Sequence, residues 1–348
     1  MGKKVLIVGH TGYLGSRLVP FLVALGYEVG GIDLGYFQSG QIHPCDDHTI
    51  SKKNAADITT DDIQGFDVVI QLAGLSNDPI GTFDPEKFYQ PTVEYTLKIA
   101  AICRDLGARF IFPSSCSVYG VSENPLNEQS QVNPKTFYSQ NKIDIENGLQ
   151  ELSSSQFSPI ALRFATIFGP SPRIRFDVVI NMLVGMATIK NEIVLNSNGL
   201  AWRPHLYIDD ACSAIRSCID WNYNGSDLMT LNVGRDDNNW QILAVAKYIS
   251  GRFGDIPIRF LSPDTKKDDL VVDRKITDGV DKRNYQVSFA KIESTLPSFR
   301  CQTSVKEGIN ELILWFEKYE IDLTKFSQRE FYRLQQMEFL QRHDFLNG

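Results

Sequence analysis

The chain predicts an α/β fold built on a doubly wound parallel sheet. Apolar runs of strand length alternate with helical patterns from residue 4 to about residue 165. Such alternation builds a parallel sheet covered on both faces. Gly9, Asp33, Gly74, Ser114 and Thr166 stand where successive apolar runs stop. That is the sheet edge at which open α/β folds bind ligands.

Residues 5–8 form an apolar run that meets Gly9. Gly12 and Gly15 follow, and Leu18, Phe21, Leu22 and Leu25 then recur at helical spacing. Residues 28–32 read as a second strand with Asp33 at its tip. A strand, a glycine-punctuated turn, a helix and a strand ending in an acid make a dinucleotide-binding unit. Gly9 permits the turn, Gly12 lets backbone approach a pyrophosphate, and Gly15 lets the helix pack on the sheet. The helix start, at Tyr13 and Leu14, offers free N–H groups and a positive dipole end to phosphates. Asp33 can accept from both adenosine ribose hydroxyls and repels a 2′-phosphate. The next residues are Leu34, Gly35 and Tyr36, with no Lys or Arg. The expected cofactor is therefore NAD.

Residues 35–53 read as a long polar loop. Asp57 and Ile58 follow a third short strand, and Asp57 is expected either to bond the adenine amine or to be a surface turn acid. Residues 66–74 form a buried strand closing on Leu72, Ala73 and Gly74, which leave room for a cofactor. Ser76 and Asn77 lie in a polar loop beside it. A helix over 95–106, a strand at 110–112, a helix over 137–152 and a strand at 160–164 continue the alternation. Beyond residue 170 the pattern predicts helices over 176–190, 209–219, 240–251 and 305–319, and short strands at 205–208, 231–233 and 258–260. Ser327 and Glu330 form a capping-box signature for a last helix carrying Phe331, Leu334 and Leu340. That helix is expected to dock on the protein's own surface. The implied organisation is a cofactor domain over 1–169 completed by parts of 204–235, a substrate lobe over 170–300, and C-terminal helices over 301–348.

Composition narrows the function classes. Of the 348 residues, 43% are apolar and the net charge is −7. That charge argues against a nucleic-acid surface, which needs clustered Lys and Arg. No apolar run reaches membrane-spanning length. Met1 to Lys4 lead directly into a strand, so no signal peptide is expected. The six cysteines are scattered, with no CxxC pair and no zinc spacing. They read as reduced thiols of a cytoplasmic protein, and no metal is expected.

Tyr138 and Lys142 stand four residues apart and share a helix face. A free phenol has a pKa of about 10, too high for a good base at neutral pH. A neighbouring ammonium favours the phenolate. Lys142 can also bond the nicotinamide ribose. Of the 13 tyrosines, Tyr138 alone has Lys at the fourth following position. Ser114, Ser115 and Ser117 end the preceding strand. Ser115 can donate to a substrate oxygen and share its proton with Tyr138.

These features resemble a known family, the extended short-chain dehydrogenase/reductases of the NAD-dependent epimerase/dehydratase type. The resemblance spans residue 4 to about residue 315 and includes the Rossmann form of the fold. It is carried by the three glycines, Asp33, Ser-Ser-Cys-Ser-Val-Tyr-Gly at 114–120, and Tyr138 with Lys142. Leu-Arg-Phe at 162–164, Gly169-Pro170, Arg-Pro-His-Leu-Tyr-Ile-Asp-Asp at 203–210 and Asn-Val-Gly at 232–234 complete it. The resemblance implies that Ser115, Tyr138 and Lys142 carry the chemistry, with Phe164 on the cofactor side. It implies a nucleotide-sugar substrate touched by Ser76, Asn77, Ser117, Thr166 and Arg203. Arg283 is either a phosphate clamp or a surface arginine. Two departures matter. Family dehydratases carry Asp-Glu directly after the hydroxyl residue and decarboxylases a Glu in that turn, whereas Cys116 and Ser117 stand here. Thr92 replaces the usual cofactor-side Asn.

The expected activity is a nucleotide-sugar epimerase acting at C4 through a transient 4-keto sugar. A keto-sugar reductase or dehydrogenase using the same site is the alternative, and a non-catalytic NAD sensor or scaffold a lesser one. The helices over 95–106 and 137–152 resemble the pair through which relatives dimerise, so a homodimer is expected.

Overall fold

A computed structural model describes residues 2–76, 89–223, 225–261 and 283–343. Its strands are β1 (Lys4–Val8), β2 (Glu28–Ile32), β3 (Thr49–Ser51), β4 (Val68–Gln71), β5 (Arg109–Ser115) and β6 (Ile160–Phe164). They continue with β7 (Thr166–Phe168), β8 (Ile193–Leu195), β9 (Trp202–Tyr207), β10 (Met229–Val233), β11 (Asn239–Gln241) and β12 (Ile258–Phe260). The main sheet has the order β10-β6-β5-β4-β1-β2-β3. Every pairing in it is parallel. The chain runs outward from β1 to β3 and then restarts on the other side with β4. The order therefore reverses between β1 and β4, which opens a crevice at their carboxyl ends.

Two cores hold the sheet. Val5 and Ile7 face Leu18, Leu22, Ala211 and Ile215, from the helices Gly15–Ala24 and Ile208–Asp220. Leu6 and Val8 face Ile99, Cys103, Ile145 and Leu149, from the helices Gln90–Leu106 and Phe137–Leu152. Successive strand residues point to opposite faces. A strand buried on both sides is thus apolar at every position, as residues 5–8 are. Each such side chain contributes about 2 kcal/mol by leaving water. A third core surrounds Phe176, whose ring lies 4.9 Å from Phe326 and 5.0 Å from Phe331.

Local chemistry sets the ends of the elements near the crevice. Thr136 Oγ1 accepts from Ser139 N at 3.1 Å, and Ser139 Oγ accepts from Thr136 N at 3.1 Å. This reciprocal cap fixes the first turn of Phe137–Leu152, where Tyr138 sits. Gly9 has φ +90°, and a Cβ there would lie 2.5 Å from Ala73 N. At Gly15 a Cβ would lie 2.5 Å from His10 O. These two positions tie the turn to β4 and the helix to the turn.

The structure departs from the sequence reading in several places. The polar stretch after Asp33 contains β3, which pairs with β2. Strand β7 was not expected; it pairs with β9. Trp240 belongs to β11, paired with β9, so the next helix starts at Ile242. Ser327 does not start the last helix. Its hydroxyl donates to Leu323 O at 2.6 Å, closing the short helix Leu323–Phe326. The last described helix is Arg333–Arg342. The break between them lets Phe326 and Phe331 both enter the core around Phe176. Further on, Met337 and Leu340 pack against Tyr36, Phe37 and Leu75. No described helix is long and apolar enough to cross a membrane.

The glycines separate by what surrounds them. Gly9→Ala and Gly15→Ala are expected to destabilise the fold by about 2–4 kcal/mol in chemical denaturation, from backbone strain and overpacking. Gly12→Ala meets nothing closer than Gly9 O at 3.3 Å and is expected to cost about 1 kcal/mol or less.

Candidate active site

A cavity of about 1150 Å³ opens at the carboxyl edge of the main sheet. Nearly all the residues singled out from the sequence line it. On one side these are Gly9, Gly12, Tyr13, Leu14, Gly15, Asp33, Leu72, Ala73 and Gly74. At the centre are Ser114, Ser115, Ser117, Tyr138, Lys142 and Phe164, and beyond them Ser76, Thr166, Arg203 and Arg283. Asn77 lies outside the described residues. Asp57 and Ile58 do not line the cavity. Asn54 Oδ1 accepts from Ala56 N at 3.1 Å and caps a single tight turn, Ala55–Asp57. That turn leaves Asp57 in solvent and buries Ile58 in the core. Asn54, Ala55 and Ala56 form the wall in their place.

The glycine-rich side fits a dinucleotide. Among the described residues the amides of Tyr13 and Leu14 have no backbone partner, and they precede the first turn of Gly15–Ala24. A Cβ at Gly12 would meet only Gly9 O, at 3.3 Å. Tyr13 itself is held away, its hydroxyl donating to Gly169 O at 2.7 Å. Asp33 accepts from Thr11 N at 3.0 Å and Gly35 N at 2.7 Å. One acceptor site on each oxygen is thereby used and others remain for ribose hydroxyls. Lys53 lies nearby in the wall, but Asp62 holds its ammonium at 2.8 and 2.9 Å.

The centre is a strand end facing a helix. Lys142 Nζ donates to Pro113 O at 2.8 Å and lies 5.5 Å from the centre of the Tyr138 ring. Ser115 Oγ accepts from Ser117 N at 3.2 Å. The Ser117 hydroxyl is buried in the wall with no partner among the described residues. Cys116 turns inward instead, and its thiol donates to Arg163 O at 3.0 Å. Burial pushes that thiol well above its usual range.

One residue of this centre escaped the sequence reading. Glu146 continues the stripe of Tyr138 and Lys142 at the same spacing of four. Its carboxylate accepts from Ser114 Oγ at 2.5 Å and from Arg163 Nη2 at 2.6 Å. Arg163 in turn donates to Tyr119 Oη at 3.0 Å, and Tyr119 donates to Asn232 Oδ1 at 2.8 Å. An acid extending a functional helix face was the available signal. Arg175 was missed as well. It pairs with Asp177 at 2.8 Å and donates to Ser76 O at 2.8 Å and Ser76 Oγ at 3.1 Å. On the far side, the Arg203 guanidinium lies over Tyr285 at 5.5 Å and donates to the carbonyls of Trp202 and Arg283.

The lysine carries a pH signature. Burial lowers the Lys142 pKa to about 8, while Glu146 acts in the opposite direction. Below that pH the folded protein holds a buried ammonium at a cost. Between about 8 and the ordinary value of 10.5 the folded state releases a proton that the unfolded chain keeps, so stability rises with pH there. Lys142→Met is therefore expected to be more stable than wild type at pH 7 by about 1–3 kcal/mol, with the gap closing towards pH 10. Thermal melts at the two pH values check this. Glu146→Gln leaves Arg163 buried without its anion and is expected to destabilise by about 3–5 kcal/mol, again read by denaturation.

Comparisons with known proteins agree with this geometry. The NAD dependent epimerase/dehydratase family model matches residues 5–234. A UDP-glucuronic acid decarboxylase 1 from Xenopus tropicalis is 23% identical over 327 residues, covering 91% of this chain and 72% of the relative. An NAD dependent NDP-hexosamine 5,6-dehydratase of tunicamycin biosynthesis superimposes with a TM-score of 0.76 at 20% identity, covering 92% of this chain and 99% of the other. The UDP-glucose 4-epimerase of Thermotoga maritima also gives 0.76, at 19% identity, covering 91% of this chain and 100% of the other. These structural likenesses establish a shared fold among enzymes of differing reactions. Because the family model covers well over half of its length, the chain belongs to the NAD dependent epimerase/dehydratase family.

Proposed function

We propose that the protein is an NAD-dependent nucleotide-sugar epimerase that inverts C4 through a transient 4-keto sugar. The observation that carries this reading is the serine turn. Ser115, Tyr138 and Lys142 share one cavity, and the residues after Ser115 are Cys116 and Ser117. Neither is a carboxyl acid that can protonate a leaving hydroxyl. The carboxylates lining the cavity among the described residues are Asp33, Asp177 and Glu338. Asp33 is held by two amides and Asp177 by Arg175.

Tyr138, as phenolate, takes the proton of the sugar hydroxyl. Lys142, as ammonium, stabilises that phenolate. Ser115 donates to the carbonyl oxygen that forms. NAD supplies a hydride acceptor that can return the hydride to the opposite face of the turned sugar. Tyr138 then gives the proton back. Arg203 and Arg283 hold the diphosphate of the nucleotide, beside Thr166 and the unpartnered hydroxyl of Ser117. The wall contributed by residues 170–300, including Met182, Leu183 and Leu195, forms the substrate lobe. A homodimer through the helices Gln90–Leu106 and Phe137–Leu152 accords with the exposure of Leu106 and Phe137 on them.

Incubation with NAD⁺ and a panel of UDP-, GDP-, CDP- and dTDP-sugars in heavy water, followed by NMR, tests the reading. The expected product has an inverted C4 and no solvent deuterium on carbon. Tyr138→Phe is expected to lower kcat by about 10²–10⁴-fold. Loss of water or carbon dioxide from the sugar, or steady consumption of NADH by a keto sugar, would replace the epimerase by another reaction.

A further inference from the structure

Arg333 opens the last described helix, Arg333–Arg342, and lines the cavity. It lies a hundred residues beyond the segment matched by the family model. Its side chain is buried, at 9% exposure. Its backbone N–H donates to Asp177 Oδ2 at 3.0 Å. Its guanidinium lies over the Phe37 ring at 3.8 Å. Among the described residues that guanidinium has no bonded carboxylate.

The surroundings are rich in cations. Arg173 is 3% exposed, lies over Phe37 at 5.1 Å, and among the described residues its Nε and Nη1 have no hydrogen-bond partner. Its Nη2 donates to Glu330 O at 2.5 Å. Arg175 is the third guanidinium, paired with Asp177. Of the nearby acids, Glu330 pairs with Arg329 at 3.0 Å. Burial and the charges of Arg175 and Arg173 push the Arg333 pKa well down, opposed by Asp177 and Asp33. Buried cations in excess of bonded anions destabilise a site unless an anion joins them.

Position says which anion. The guanidinium of Arg333 lies over Phe37, four residues after Asp33 in the segment that leaves β2. Arg175 donates to Ser76 in the segment that leaves β4. Strands β2 and β4 flank β1, so these two guanidiniums, both lining the cavity, stand on either side of the glycine-rich turn that follows β1. In a bound dinucleotide the diphosphate lies over that turn. Planar guanidiniums suit phosphate oxygens.

We propose that Arg333 is a ligand of the cofactor's diphosphate, so that the C-terminal tail completes the NAD site. Phe37, under its guanidinium, and Asp177, on its backbone N–H, position it. This role needs the cleft to hold a dinucleotide and is independent of which sugar carbon is inverted. The tail also covers the cleft: Met337 and Leu340 pack on Tyr36, Phe37 and Leu75, and Gln336 Nε2 donates to Tyr36 O at 2.8 Å.

Calorimetric titration of cofactor-stripped protein tests it. NAD⁺, NADP⁺, ADP-ribose, adenosine and UDP are each titrated into wild type and Arg333→Gln. Expected is a loss of about 10- to 100-fold for NAD⁺ and ADP-ribose, the worth of a bond to a charged group, with adenosine and UDP unchanged. Unchanged NAD⁺ affinity overturns the role. Equal weakening of adenosine marks a packing effect and overturns it too. A loss confined to UDP moves the residue to the other ligand, and one confined to NADP⁺ moves it to a 2′-phosphate. Should Arg333→Gln not fold, Arg333→Lys replaces it, with a several-fold loss for NAD⁺ expected and equal affinity overturning. Wild type that takes up no NAD⁺ removes the cofactor itself, an outcome separable from all of these.

Discussion

The carboxylate of Glu146 is the constraint on which the cluster of Ser115, Tyr138 and Lys142 depends. It meets Arg163 from β6 and Ser114 from β5 while standing on the helix that carries Tyr138 and Lys142. Three elements are thereby fixed to one another by bonds to a single buried group. Both side chains of the ion pair are under a tenth exposed, so neither charge has water as an alternative partner. Such a pair is weak evidence for net stability, but it is directional. It holds the strand end bearing Ser115 and the helix bearing Tyr138 in one register. Arg163 then passes the constraint through Tyr119 to Asn232 beside β10, so three neighbouring strands of the sheet join the same network.

The cavity is arranged around charge as much as around shape. At its glycine-rich end Asp33 is steadied by backbone amides. Lys53, in the same wall, is occupied by Asp62. In the middle, Lys142 is a desolvated amine. Its ammonium form is strained, and the strain falls if a negative phenolate stands beside it. At the far end Arg203 is oriented by carbonyls and by the face of Tyr285.

Much of this was legible in the residues. The sheet and the two helices behind it follow from apolar runs whose period changes from two-sided burial to helical stripes, and the helix Phe137–Leu152 has the bounds expected of it. The glycine turn, Asp33 and the Tyr138–Lys142 pair are local patterns, and a local pattern survives in any fold that contains it. Asp57 takes the second of the two roles open to it, a surface turn acid, because the direction of a side chain on a tight turn depends on a cap, Asn54, that pattern alone does not rank. Ser327 was misjudged because the phenylalanines on either side of it, Phe326 and Phe331, compete for one core with the helix its spacing predicts. Phe326 and Phe331 both reach Phe176, and packing wins over the capping signature. Glu146, Arg175 and Arg333 were missed for a simpler reason: Ser114 and Arg163, Ser76, and Phe37 with Asp177, which respectively hold them, lie on other parts of the chain.

The contact between Gln336 and Tyr36 joins residues 300 positions apart. The strands of the main sheet all lie before residue 234, so synthesis can deliver a finished sheet long before the tail emerges. Contacts of such separation close late, since the ordering of a long loop must precede them. A nascent chain therefore passes through a stage with a formed floor and an open roof. Small molecules can diffuse into the cleft during that interval and be enclosed when the last segment settles.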